Sequence, residues 1–70
     1  MATRKIETRD GEIRLGQFLK LANVIDSGSD AKLLLAENRV RVNQINETRR
    51  GRQLKRGDIV SVDAVSFEVG

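Results

Sequence analysis

At Arg39 the apolar pattern of this chain changes period, and that change limits its possible architectures more than any other feature. Upstream, Leu15, Phe18, Leu19 and Ala22 fall at i, i+3, i+4 and i+7, one face of a helix, with Leu21 and Ile25 widening the stripe. Ala31, Leu34 and Leu35 repeat the helical spacing. Downstream, Val40 and Val42 alternate with Arg39 and Arg41, which is the spacing of a strand with one apolar face. The first pattern predicts a helix over about residues 15–23 and the second a helix over about residues 28–37. Ser27 is placed to cap the second helix, with Asp30 reaching back as in a capping box, and Asn38 suits a left-handed exit. Asp26-Ser27-Gly28 leaves so short a connection that the helices must pack on each other.

Beyond Arg39 the turn residues divide the chain into short strands. Asn43-Gln44 marks a tight turn into Ile45-Asn46-Glu47-Thr48, and Arg56-Gly57-Asp58 marks another. Residues 59–62 and 65–69 form a hairpin around Asp63-Ala64, with Val65, Phe67 and Val69 expected inside. Helix, helix, then strands predicts an α+β domain, two packed helices followed by a small antiparallel or mixed sheet. Residues 1–12 read as an N-terminal arm or short strand closed by Asp10-Gly11, and residues 13–70 as one domain. Leu, Ile, Val and Phe make up 21 of 70 residues, above the ~20 % below which chains stay disordered.

The chain contains no Cys and no His, which removes disulfides, thiolate nucleophiles, the commonest metal ligands and the commonest general base. Ser27 has no base to activate it and is better used as a cap. The glycines are single and spaced for turns, not for a phosphate loop. An enzyme is not expected, nor a cofactor, a metal or a small-molecule substrate. Arg56-Gly57-Asp58 matches an adhesion tripeptide, but a Gly-Asp turn before a strand needs no partner. With no apolar run of eighteen residues and no apolar stretch behind Met1-Ala2-Thr3-Arg4-Lys5, a cytoplasmic monomer without membrane contact is expected.

Charge is what remains. Residues 1–38 balance to zero, whereas residues 39–56 carry Arg39, Arg41, Arg49, Arg50, Arg52, Lys55 and Arg56 against Glu47 alone. Arginine predominates, and its guanidinium forks onto phosphate with two parallel hydrogen bonds. A solvated charged loop is the bland account; arginine bias and missing acids favour a polyanion site. Arg14, Lys20 and Lys32 extend the basic surface from the helices, and the amides near Ser27–Ser29 offer a helix N-terminus for phosphate. The candidate nucleic-acid contacts are therefore Arg14, Lys20, Lys32, Arg39, Arg41, Arg49, Arg50, Arg52, Lys55 and Arg56, expected on one continuous wall. Phe18 and Phe67 are the only aromatics, so structured RNA suits this surface better than stacked single strands. An acidic protein partner and duplex DNA remain open alternatives.

The strings Arg14-Leu15-Gly16-Gln17-Phe18-Leu19-Lys20-Leu21-Ala22, Ser27-Gly28-Ser29-Asp30-Ala31-Lys32 and Val40-Arg41-Val42-Asn43 resemble the S4-like RNA-binding domain. The stretch Glu47-Thr48-Arg49-Arg50-Gly51-Arg52-Gln53-Leu54, closing with Gly57-Asp58-Ile59-Val60, resembles its short stand-alone bacterial members, the YaaA/YbcJ-like proteins. The resemblance implies a helix pair leading into a small sheet, and binding of ribosomal or transfer RNA without chemistry. By position it implies roles for Arg14, Lys32, Arg41, Arg49, Arg50 and Arg52. Gly28 stands where many relatives carry Arg or Lys, and Asn38 and Gln44 stand where Gly is common.

Overall fold

A computed structural model describes residues 3–26 and 28–70. Along the chain these form β1 (Thr3–Ile6), β2 (Glu12–Arg14), α1 (Leu15–Leu21), α2 (Gly28–Ala36), β3 (Val40–Val42), β4 (Ile45–Asn46), β5 (Gln53–Lys55), β6 (Ile59–Val62) and β7 (Val65–Val69). Five strands make one sheet in the order β1-β7-β6-β3-β4, and β2 pairs with β5 in a separate two-stranded ribbon. β1 runs parallel to β7 while the other pairs are antiparallel, so the larger sheet is mixed.

This overturns the expected α+β order of a helix pair followed by a sheet. Two strands precede the helices, and the strands outnumber the helices seven to two among the described residues. The physical reason lies at the C-terminal strand. Without β1, β7 would be an edge with a row of unpaired amides and carbonyls. β1 covers that edge, and the pairing continues past it: Gly70 donates its N–H to the Ile6 carbonyl at 2.8 Å, and the Thr8 hydroxyl bonds the Gly70 carbonyl at 2.6 Å. β2 is required in turn by the basic loop, whose end it pairs through Ile13 opposite Leu54.

The core lies between the helices and one face of the larger sheet. Leu15, Phe18 and Leu19 of α1, and Ala31, Leu34 and Leu35 of α2, meet Val40, Val42, Val60, Val62, Phe67 and Val69. Phe18 and Phe67 touch edge to face, with centroids 6.5 Å apart. Two side chains assigned to the interior lie outside it: Leu21 and Val65 are about half exposed, at 52 % and 48 %. Each sits at an element end, where the chain turns away from the core.

The caps follow the side-chain chemistry. Asn38 leaves α2 with φ +57°, the left-handed exit expected of it. The Ser27 cap, and with it the capping-box bond expected between Asp30 and the Ser27 amide, falls outside the described residues; Asp30 accepts from the Asp26 amide at 3.3 Å. Asn43 and Gln44 both have positive φ, at 53° and 71°, as a two-residue type I′ hairpin turn requires. Asn43 offsets that strain: its side chain accepts from the Ile59 amide at 2.9 Å and donates to Asp58 at 3.1 Å, tying the turn to β6. No helix among the described residues is long and apolar enough to cross a membrane.

Candidate nucleic-acid interface

The basic loop, residues 49–52, is held from three sides. On one side it closes the start of α1, where the Leu15 and Gly16 amides donate to the Arg52 and Arg50 carbonyls at 2.8 and 2.9 Å. These are two of the amides that a helix leaves unsatisfied at its first turn. From the same corner, Arg14 donates through Nη1 to the Gly51 carbonyl at 2.8 Å. Gly16 makes this contact possible: a β-carbon built there would lie 2.6 Å from Arg50 Cγ. Any other residue at that position pushes Arg50 away from α1.

The second anchor is the β2–β5 ribbon, which continues the loop away from the helix. The third is Glu47. Its carboxylate is 8 % exposed and accepts from the Thr48 and Arg49 amides, from Arg49 Nε at 3.1 Å and from Arg52 Nη1 at 2.8 Å. The Arg49 guanidinium, with further help from the Arg49 amide and from Arg52, holds this carboxyl at about 2 against an ordinary 4.5, although burial pulls the other way. Arg49 is raised in return by the same bond.

Two grooves flank the anchored loop. One, of about 340 Å³, is lined by Arg14, Gly16, Gln17, Lys20, Ala31, Arg50 and Gly51. The other, of about 450 Å³, is lined by Lys32, Leu35, Ala36, Asn38, Thr48 and Arg50. Arg50 belongs to both, so Arg14, Lys20, Arg50 and Lys32 run along one continuous surface. No acidic residue lines either groove, and none of the four forms an ion pair among the described residues.

The other six predicted residues are placed differently. Arg49 and Arg52 flank Arg50 in sequence but are tied to Glu47. Arg39 forks onto Asp63, with Nη2 to Oδ2 at 2.6 Å, and reaches Glu37 at 3.1 Å. Those carboxylates raise the Arg39 guanidinium pKa, and Arg39 lowers that of Asp63. Arg41 projects from β3 on the side opposite Val40 and Val42, beside Asn46 and Ser61, and so lies on the sheet face turned away from the helices. Lys55 stands opposite Glu12 on the ribbon, and the Arg56 guanidinium lies over Gly11. The single wall expected from the sequence is thus divided, because strand alternation that buries Val40 and Val42 must send Arg41 the other way.

Gln17, Asn38 and Thr48 line the grooves although none was a candidate contact, because polar neutral side chains give no signal in a charge count. Glu47 did give one: it is the lone acid in the basic block.

The arrangement offers phosphate groups a row of four cations with hydrogen-bonding neighbours and no competing acid. Comparison with known proteins identifies the family. A Bacillus subtilis (strain 168) protein described as a probable ribosome maturation protein RlbA is 53 % identical to this chain over 58 residues, which is 81 % of this chain and 82 % of the relative. The family model described as the S4 domain matches residues 6–70, from the last residue of β1 to the final glycine, and the chain therefore belongs to the S4 domain family.

Proposed function

We propose that this protein is a non-enzymatic, cytoplasmic RNA-binding protein. It docks as a monomer on structured RNA, and its role lies in ribosome maturation. The observation that carries this reading is the row Arg14, Lys20, Arg50 and Lys32 around two grooves with no acid in them. Membership of the S4 domain family and similarity to a probable ribosome maturation protein support the same reading. Both phenylalanines are buried, so the surface has no aromatic platform for unpaired bases and must read backbone and shape. Within this proposal Arg49 and Arg52 shape the loop, while Lys55, Arg56 and Arg41 make at most peripheral contacts.

Salt titration tests it. Four phosphate contacts at ~0.7–0.9 log units each predict that affinity for an RNA hairpin falls by roughly 3 log units per decade of salt. A matched DNA hairpin should compete poorly. A flat salt response would contradict binding through phosphates. Absence of RNA binding would move the reading to an acidic protein partner on the same basic face, and equal competition by DNA would move it to duplex DNA.

A further inference from the structure

On α2, Lys32, Leu35 and Ala36 lie on one flank and Asp30, Leu33 and Leu34 on the other, which Glu37, just past the helix end, continues. The first flank borders the basic grooves; the second borders a different channel. One depression of about 390 Å³ lies between the α1–α2 connection and α2, and another of about 250 Å³ continues to the β6–β7 turn. Val24, Leu34 and Arg39 line both, so the two join. The floor is apolar, with Val62 and Phe67 at the far end. At its margins stand Leu33 and Val65, exposed by 61 % and 48 %. Half-solvated aliphatic side chains on both lips of one channel are surface that a partner would remove from water.

The rim decides which partner. Asp26, Asp30, Glu37 and Asp63 surround the channel, and among the described residues Arg39 is the only base facing it. Arg39 is already shared between Glu37 and Asp63, so the rim keeps an excess of three negative charges. Nucleic acid and acidic segments are repelled here. We propose that this channel docks a basic peptide segment of a protein partner, an aliphatic anchor in the apolar floor with Lys or Arg on both sides against the acidic rim. Because α2 separates the two surfaces, the segment and an RNA can be held at once.

The test uses the full chain, without RNA, and a short labelled synthetic peptide in which two adjacent leucines are flanked on each side by lysines and arginines. Saturable binding is expected by fluorescence anisotropy. It should be lost when the peptide's bases become glutamates and weakened about tenfold or more when its leucines become serines. Leu33→Lys, at an exposed position that leaves the core intact, should weaken binding by a similar factor, and Val65→Lys should do the same from the opposite lip. Arg50→Glu, which disables the basic grooves, should not weaken it. The proposal is overturned by an absence of saturable binding, by equal binding to either lip variant, or by concentration-dependent self-association that the peptide cannot reverse. The last outcome would make a second copy the occupant. None of these readouts depends on RNA, so the two readings stand or fall separately.

Discussion

Replacing Lys20, Lys32 and Arg50 together with glutamate should lower affinity for an RNA hairpin about a hundredfold at about 0.1 M salt. The figure follows from counterion release: across one decade of salt each contact contributes ~0.7–0.9 log units, so three contacts supply a little over two. The salt slope should fall with it, from roughly 3 to below 1, because only Arg14 is left. These three residues are exposed and carry no ion pair among the described residues, so circular dichroism should be unchanged. Arg14 is spared because its bond to the Gly51 carbonyl also holds the loop. Reversing Arg39 and Arg41 is the matched control. Arg39 is neutralised by two carboxylates, and Arg41 faces away from the helices, so affinity should change only a few-fold. An equal loss in the control would mean that net charge, not the α1–α2 grooves, drives binding.

The second large effect is on stability. Glu47→Gln keeps the shape of the side chain but leaves one acceptor oxygen where two carboxylate oxygens now accept four hydrogen bonds. Losing charge-assisted bonds at a buried position costs about 1–3 kcal/mol. For a domain of this size that is a fall in Tm of roughly 5–20 °C. The pH dependence has a definite sign. The Glu47 carboxyl lies at about 2 in the folded chain against an ordinary 4.5, so its stabilisation is complete above the ordinary value and is lost as pH falls through about 2. Asp63, lowered by Arg39, acts in the same direction. Denaturation across that window should therefore show wild type and Glu47→Gln far apart near neutrality and converging in acid. A gap that stays constant with pH would mean that the carboxylate charge is not what holds the loop.

Much of this molecule can be read from residue order, and the remainder is hidden for identifiable reasons. Helical spacing located α1 and α2, Asn38 marked a left-handed exit and Asn43-Gln44 a tight turn, because local chemistry settles such features. β1 was harder. Three of its four residues are exposed, and its partner strand lies at the other end of the chain, so neither periodicity nor turn chemistry reports the pairing. The basic surface failed in a different way. A charge count cannot tell a guanidinium that faces solvent freely from one tied to a carboxylate, and Arg39, Arg49 and Arg52 are all tied. Arg50 stands apart for a reason that only geometry reveals: the bare α-carbon of Gly16 lets it lie against α1, between the two grooves.

Mapping backbone amide chemical shifts while an RNA hairpin is titrated into the labelled protein examines the surface itself. If the RNA lies along α1, α2 and the loop, the largest changes will fall at Arg14–Gly16, Lys20, Lys32 and Thr48–Gly51, with Arg41, Ser61 and Ser66 unmoved. Changes centred on Arg41, Ser61 and Ser66, with the loop and helices silent, would put the RNA on the opposite face of the sheet and contradict the account.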